Sequence, residues 1–293
     1  MSMWRIGGVT IHRVLEFEGP LLAPGVLLPD STEVGIDRHR SWLEPDLLDP
    51  ATGELVLSFH SLVIRTPLHT ILVDTCGGND KHRPQKPRYH QQNHCYLANL
   101  HAAGFRPEDV DVVLCTHMHV DHVGWNTRLV DGRWVPTFPN ARYLFARDEL
   151  KFWQAHYGTE AFADDPYYED SIAPVFDSGQ SETVAGDHAI DDWVRLVPTP
   201  GHTPGHVCVE VASGDSRAVL SGDLMHHPVQ CAEPDWSSCF CVDAEHARRT
   251  RRAFLAEHAE TGALILPAHF PTPTAGRIAA AGGAWRFVFD GES

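Results

Sequence analysis

Apolar and polar residues alternate along three segments in the first quarter of the chain, a pattern that predicts strands with one buried face. These segments are Trp4–Phe17, Phe59–Thr66 and His69–Asp74. We expect them to form antiparallel strands, with Thr66-Pro67 in the hairpin turn between the last two. Apolar residues at helical spacing then predict a helix over Gln91–Ala103, which ends at Gly104.

The rest of the chain alternates between short apolar runs and helical patterns. The predicted strands are Asp111–Cys115, Arg142–Ala146, Trp193–Pro198, Val207–Ala212, Ala218–Ser221 and Ala263–Leu266, and the predicted helices are Asp148–Tyr157, Tyr167–Phe176 and Asp243–His258. This order predicts an α/β (α+β) fold in which two similar halves pack sheet against sheet with helices outside. The segment Gly19–Pro50 matches no strong element. We interpret residues 17–58 as an N-terminal extension and a candidate lid on a single domain spanning 1–293.

Charge narrows the possible partners of the chain. Its 293 residues carry 23 basic and 39 acidic side chains, a formal net charge of −16, which disfavours binding to nucleic acid or to an anionic membrane. One dense basic run, Arg248–Arg252, lies in a predicted helix and reads as a solvated face. The chain shows neither a long apolar span nor the order of a signal peptide, so we expect it to be cytoplasmic. Seven scattered cysteines do not form a disulfide framework.

Histidines are the main candidates for functional residues. The motif His117-x-His119-x-Asp121-His122 directly follows the predicted strand Asp111–Cys115, and the 20 histidines of the chain do not explain this match by composition alone. A strand end followed by a tight turn can direct four side chains into one cavity. Neutral imidazoles and a carboxylate suit Zn²⁺ or a similar first-row ion, and offset pairs of them can serve two ions.

Three further segments fit the same kind of site, because each follows a predicted strand. Thr199–His206 contains prolines and glycines that fix a sharp turn and can present His202 rigidly. Asp223 follows the next strand, and its two carboxylate oxygens could bridge two ions. His269 follows the last predicted strand and supplies another nitrogen.

With these residues in place, the chain resembles the metallo-β-lactamase fold superfamily, from about Phe59 to His269. Seven residues carry the resemblance: His117, His119, Asp121, His122, His202, Asp223 and His269. It implies a four-layer αβ/βα sandwich with two mixed sheets flanked by helices, and a site for two divalent metal ions, with zinc expected and manganese, iron or cobalt as alternatives. It further implies that one ion takes His117, His119 and His202, that the other takes Asp121, His122 and His269, and that Asp223 bridges them.

Details of the motifs show which branches of that superfamily the chain resembles most. Position 119 is not the glutamate of flavodiiron relatives, and His122 and Asp223 differ from the Arg and Cys of many true β-lactamases of this fold. The phrases around Asp74, His119, Asp223 and His269 look most like the branch of quorum-signal (N-acyl homoserine) lactonases and methyl-parathion-hydrolase-like enzymes. The Thr199–His206 stretch is similar to glyoxalase II as well.

The resemblance implies hydrolysis of a small-molecule substrate by a metal-bridging hydroxide, with opening of a lactone ring as the first expectation. Organophosphate triester, thioester and β-lactam hydrolysis remain alternatives, as does a metal-containing sensor or binding protein without catalysis. A homodimer is left open. Asp121 and His226 are the candidate catalytic residues, because either could move a proton to the leaving alkoxide; His226 stands where related lactonases often have tyrosine. A pocket wall is the alternative role for His226.

Two groups of residues are candidates for supporting roles. Asp74 and His206 could hold a metal-binding side chain in place through a hydrogen bond, although Asp74 could equally cap a turn and His206 could be a pocket polar group. The apolar candidates for a substrate pocket, which could also be ordinary core residues, are Phe17, Leu21, Leu22, Trp125, Trp236 and Phe270.

Overall fold

The computed structural model describes residues 2–159 and 167–291. Its strands are β1 (Met3–Ile6), β2 (Val9–Leu22), β3 (Leu55–Arg65), β4 (Thr70–Val73), β5 (Val112–Leu114), β6 (Thr127–Val130), β7 (Arg133–Pro136), β8 (Arg142–Ala146), β9 (Ser181–Val184), β10 (Val194–Pro198), β11 (Val207–Ser213), β12 (Ser216–Gly222), β13 (Leu264–Pro267), β14 (Gly276–Ala281) and β15 (Ala284–Phe289). Its α-helices are α1 (Pro24–Leu27), α2 (Glu33–Leu43), α3 (Tyr96–Ala102), α4 (Arg147–His156), α5 (Tyr167–Ser171), α6 (Ala173–Asp177), α7 (Val229–Ala232) and α8 (Ala244–Thr261). The predicted mixed α/β class is confirmed.

Contacts divide the chain into two compact units. Unit 1 comprises Met1–Phe17 and Phe59–Trp193, and unit 2 comprises Glu18–Ser58 and Val194–Ser293. The single domain over 1–293 and the lid role of residues 17–58 stay predictions. None of the helices in the described ranges is long and apolar enough to cross a bilayer.

Most of unit 1 is built on a seven-stranded sheet with the order β1-β2-β3-β4-β5-β8-β9. Strands β3 and β4 pair antiparallel, as the hairpin prediction required, and β4, β5, β8 and β9 run parallel. All three residues of β5 are buried, which explains their continuous apolar run. Because β4 and β5 are parallel neighbours, the residues after each strand emerge at the same edge of the sheet.

Unit 2 contains a six-stranded sheet with the order β10-β11-β12-β13-β14-β15. Strands β12 and β13 are parallel neighbours, so Asp223 and His269 follow strands that end at the same edge. Helix α8 begins after Asp243, whose side chain accepts a hydrogen bond from the His246 amide, and it ends at Gly262 with φ of 65°. Both termini agree with the sequence pattern to within a few residues.

Some elements differ from the sequence prediction. The segment Trp4–Phe17 is not one strand, because a turn at Gly7 separates β1 from β2 and pairs Ile6 with Val9. The segment Gly19–Pro50 contains α1 and α2, where no strong element was expected. All seven cysteines are free thiols, and four are buried, in agreement with the absence of a disulfide framework.

Candidate metal centre

Four of the predicted metal ligands lie together in unit 1, on the loop that follows β5. The Nε2 atom of His117 is 2.9 Å from Nδ1 of His119, and the ring centroids of His117 and His122 are 4.0 Å apart. One carboxylate oxygen of Asp121, Oδ1, is 3.9 Å from Nε2 of His122. The tight turn therefore directs the four predicted ligands toward one another.

Asp74 follows β4 and holds both this loop and one of its imidazoles. Its carboxylate accepts hydrogen bonds from the amide and the hydroxyl of Thr116, at 2.7 and 2.9 Å, and its Oδ2 is 2.9 Å from Nδ1 of His122. A carboxylate at Nδ1 favours the tautomer with the ring proton on Nδ1, in which Nε2 carries the lone pair that can bind a metal. Asp74 thus contacts both the loop and His122, and its supporting role stays a prediction.

Glu149, in α4, is a residue of this site that the sequence analysis missed. Its buried carboxylate accepts hydrogen bonds from the amide of Met118, at 2.8 Å, and from Nε1 of Trp153, at 2.7 Å. The ring of Trp153 in turn lies edge-on to His119, 5.5 Å away. Glu149 therefore fixes the backbone between two predicted ligands and the ring beside one of them.

A close approach of two backbone segments fixes the far end of the metal-binding loop. A Cβ atom on Gly124 would lie 2.0 Å from the carbonyl carbon of Gly77, so no larger residue fits there. The Thr75 amide donates to the His122 carbonyl, at 2.8 Å, and the Gly124 amide donates to the Cys76 carbonyl, also at 2.8 Å. The segment after β4 therefore holds the end of the loop in place through backbone hydrogen bonds.

A cavity of about 390 Å³ lies in unit 1 next to this loop. It is lined by Glu16, Phe17, Phe59, Pro87, Arg88, Tyr89, Gln92 and His94. The hydroxyl of Tyr89 donates a hydrogen bond to Oδ2 of Asp121, at 3.3 Å. Burial, and to a smaller extent the charge of Asp121, raises the pKa of Tyr89 well above its usual value, so the hydroxyl keeps its proton.

Glu16 forms part of the cavity wall and organises the glycine turn beside it. Its carboxylate accepts hydrogen bonds from the amides of Gly77 and Gly78, at 2.9 and 3.0 Å, and from Nε1 of Trp125, at 2.7 Å. Burial raises the pKa of Glu16 to about 7, although these three donors act in the opposite direction. Trp125 also stacks on Tyr96, with ring centroids 5.1 Å apart.

Unit 2 holds the other three predicted ligands around one carboxylate. Oδ2 of Asp223 is 3.3 Å from Nε2 of His202, and Oδ1 is 3.1 Å from Nε2 of His269. The Nδ1 atom of His269 lies 3.0 Å from the carbonyl oxygen of Ser58, so Nδ1 carries the ring proton and the lone pair of Nε2 faces Asp223. The two oxygens of Asp223 therefore face two different imidazoles.

His206 is bound at both ring nitrogens within unit 2. Its Nε2 accepts a hydrogen bond from the Asp223 amide at 3.0 Å, and its Nδ1 is 2.8 Å from the hydroxyl of Thr199. This arrangement gives His206 the tautomer with a proton on Nδ1, donated to the threonine oxygen. The side chain holds the backbone of Asp223, which is a supporting contact.

The candidate catalytic residue His226 is buried against the same carboxylate. Its Nε2 is 3.2 Å from Oδ2 of Asp223, and its ring stacks on His269 with centroids 5.5 Å apart. Burial lowers the pKa of His226 below its usual value, although Asp223 opposes the shift. The imidazole is therefore neutral at pH 7, and it can donate one N–H hydrogen bond there.

The basic run in α8 is only partly the solvated face that the sequence indicated. Arg251 is buried, because its guanidinium donates hydrogen bonds to the carbonyls of Leu224, Pro234 and Trp236, at 3.1, 2.7 and 3.0 Å. Its role is to fix the backbone immediately after Asp223.

The apolar pocket candidates are divided between the units. Phe17 lines the cavity of unit 1, and Trp125 is buried beside it. In unit 2, Leu21 is buried and Leu22 half-buried, whereas Trp236 packs over Gly35 and Phe270 packs edge-on to Phe287. Only Phe17, of these six, lines the cavity, and the pocket role of all six stays a prediction.

The donor chemistry in each unit fits divalent metal ions. In unit 1 the ligand atoms of His117 and His119 lie within 4.8 Å of each other, as do those of Asp121 and His122. In unit 2 the ligand atoms of His202 and Asp223 lie within the same distance. Imidazole nitrogen and carboxylate oxygen are the donors that zinc and other first-row ions bind, and partners at the second ring nitrogen are typical of metal-binding histidines.

Comparisons with known proteins agree with this chemistry. A family model described as the metallo-beta-lactamase superfamily matches residues 58–269. An N-acyl homoserine lactonase from Bacillus cereus is 29% identical over 121 residues, which is 41% of this chain and 40% of that protein, so the match spans well under half of the relative's length.

Two solved structures share the fold over nearly their whole length. A hydrolase in the beta lactamase superfamily has a TM-score of 0.82 at 24% identity, covering 99% of this chain and 97% of its own. A dizinc quorum-quenching lactonase, solved with the product N-hexanoyl-L-homoserine, has a TM-score of 0.75 at 19% identity, covering 100% and 98%.

Proposed function

This chain belongs to the metallo-beta-lactamase superfamily, and on that premise we propose that it is a metal-dependent hydrolase that opens the ring of a lactone. In this proposal seven side chains hold two divalent ions, most simply zinc. One ion would take His117, His119 and His202, the other would take Asp121, His122 and His269, and Asp223 would contribute to both.

The observation that carries the proposal is the placement of Asp223. Its Oδ2 faces His202 and its Oδ1 faces His269, at 3.3 and 3.1 Å, and the proposal gives these two histidines to different ions. A carboxylate with its oxygens divided in this way is suited to bridging. The loop of unit 1 supports the same division, because His117 pairs with His119 and Asp121 lies beside His122.

A bound pair of divalent ions would supply Lewis acidity and a water molecule acidic enough to ionise near neutral pH. The chain's own residues would then orient the substrate and move protons. His226 is neutral at pH 7, so its contribution would be an N–H hydrogen bond to a substrate oxygen rather than release of a proton. Asp121 would carry the proton to the leaving oxygen, since its carboxylate borders the cavity through Tyr89.

Three features support a small, uncharged ester-like substrate. The cavity of unit 1, at about 390 Å³, combines three aromatic rings with polar side chains. The net charge of −16 disfavours phosphate-rich polymers. The similarity to an N-acyl homoserine lactonase and to a quorum-quenching lactonase favours a lactone as the first substrate to test.

A panel assay tests the proposal. Zinc-loaded protein is assayed with an N-acyl homoserine lactone, a phosphotriester, a thioester and a chromogenic β-lactam, and we expect the highest kcat/KM for the lactone. Asp223→Asn should lower kcat/KM at least about 100-fold, because the amide replaces a charged bridging group. Asp235→Asn is the matched control, an exposed aspartate paired with Arg252, and should leave kcat/KM unchanged.

The outcomes of the panel separate the alternatives. If the protein clearly prefers another of the four substrates, that substrate class replaces the lactone in the proposal. Absence of turnover on all four, with two zinc ions per chain measured by elemental analysis, would contradict the hydrolase proposal and favour a metal-containing binding protein.

A further inference from the structure

The segment of residues 79–94 is held firmly against unit 1. Its two ends are joined by a pair of hydrogen bonds, from Nδ2 of Asn79 to the His94 carbonyl at 3.0 Å and from the His94 amide to Oδ1 of Asn79 at 2.8 Å. Within the segment, the Gln91 amide donates to the Lys81 carbonyl at 2.7 Å. These hydrogen bonds restrict the conformation of the segment and so fix the position of side chains near its middle.

Tyr89 lies near the middle of this segment, at the end of a short 3₁₀ turn. Its ring packs edge-on to Phe59, with centroids 6.0 Å apart, and forms part of the cavity wall. The ring also closely approaches Gly77, where an added Cβ would lie 3.0 Å from Tyr89 Cδ1. The ring is thus confined between the cavity and the glycine turn that borders the metal-binding loop.

The hydroxyl of Tyr89 reaches from the cavity wall to Asp121. It donates to Oδ2 of Asp121 at 3.3 Å, while the other oxygen, Oδ1, lies on the side of His122. A carboxylate that accepts a hydrogen bond at one oxygen has its rotation restricted, and its second oxygen is directed away from that donor.

From this arrangement we infer that Tyr89 is a positioning residue: its hydroxyl orients Asp121 for metal binding, and its ring makes the same side chain part of the substrate wall. The predicted effect on the kinetics rests on the proposed function, whereas the predicted effect on zinc affinity can be measured without a substrate. A substrate group that fills the cavity would contact the ring whose hydroxyl holds Asp121. Occupancy of the cavity and orientation of Asp121 therefore depend on one residue.

Two substitutions separate the two parts of the side chain. Tyr89→Phe removes the hydroxyl and keeps the ring, so with the lactone substrate kcat should fall about 10-fold while KM stays within about twofold. Tyr89→Leu removes the ring as well, so KM should rise in addition. Tyr96→Phe is the matched control, a buried tyrosine whose hydroxyl bonds to Ser61 at 2.6 Å, and it should change neither constant by more than about twofold.

A measurement without turnover tests the inference directly. Metal-free protein is titrated with Zn²⁺ in competition with a chromophoric chelator, for the natural chain and for the Tyr89→Phe and Tyr96→Phe variants. We expect Tyr89→Phe to weaken one of two binding steps about 10-fold and Tyr96→Phe to weaken neither. Equal zinc affinities in the two variants would overturn the inference. If the natural chain hydrolyses no substrate of the panel, the proposed function fails, but this titration still decides the role of Tyr89.

Discussion

His227 shows how burial controls protonation at a single residue. Its side chain is fully buried, and its Nε2 lies 3.0 Å from the carbonyl oxygen of Leu47. Burial lowers the pKa of His227 to about 4, so the folded protein keeps this imidazole neutral where an unfolded chain would protonate it. Between about pH 4 and 6.5 the unfolded state therefore binds more protons at this site.

This difference predicts how stability depends on pH. The contribution of His227 is complete above the unfolded pKa of 6.5 and is lost as the pH falls toward the folded value of about 4. His227→Gln removes this titration. When the pH is lowered from 7 to 5, the free energy of unfolding of the variant should therefore fall by about 2 kcal/mol less than that of the natural chain. Urea denaturation at both pH values measures this. His101→Gln, an exposed histidine in α3, is the control, and an equal loss in all three proteins would contradict the account.

At the level of single residues, the sequence predicts those functional candidates that belong to a local motif. His117, His119, Asp121 and His122 are predicted as ligands because they form one compact motif. Contacts between residues far apart in the sequence were not accessible: the partner of Glu149 is 31 positions away, and that of Tyr89 is 32 positions away. An isolated glutamate in a helix, or a tyrosine in a polar loop, has no local pattern that indicates such a contact.

The segment of residues 79–94 depends on a buried ionic cluster for its position. The guanidinium of Arg83 donates two hydrogen bonds to the carboxylate of Asp170, at 2.6 and 2.7 Å. The amine of Lys81 lies 3.6 Å from the same carboxylate and 3.7 Å from the centre of the Trp134 ring, and it donates to the hydroxyl of Thr127. Two cations thus share one anion away from water.

Unequal charge in this cluster predicts unequal effects of two substitutions. Asp170→Asn leaves the buried guanidinium of Arg83 without a counter-ion and should lower the free energy of unfolding by about 3–5 kcal/mol. Lys81→Met keeps the Arg83–Asp170 pair, and burial already lowers the pKa of Lys81 to about 7, so the change should stay within about 1 kcal/mol. Chemical denaturation compares the two. Similar losses in both variants would contradict this view of the cluster.

The elements that the sequence predicted well are those with a strong burial pattern. Strand β5 and helix α8 were found because a buried run or an amphipathic period continues through them. Helix α2 was missed because its pattern is mixed: Val34 and Trp42 are exposed, at 73% and 44%, while Gly35 is buried. The C-terminal hairpin of β14 and β15 did carry a signal, the Gly282-Gly283 turn between two apolar runs, and it could have been predicted.

On the scale of the whole molecule, the sequence specified the mixed α/β class, and the predicted metal ligands follow parallel strands in each sheet. Strands β4 and β5 deliver Asp74 and the His117 loop in unit 1, and β12 and β13 deliver Asp223 and His269 in unit 2. Parallel neighbours end at the same edge of a sheet, so residues distant in sequence meet there. The substrate does not follow from this topology, because the cavity combines residues of β2 and β3 with the segment of residues 79–94.

We propose that two divalent ions, bound by seven side chains, make this protein a lactone hydrolase. The most direct test is a titration of the metal-free protein with zinc, in which hydrolysis of an N-acyl homoserine lactone is measured by the acid released. We predict no activity before zinc is added, a rise in rate as zinc is supplied, and a plateau at two equivalents per chain. A rate independent of zinc, or a zinc-saturated protein that leaves the lactone intact, would contradict the account.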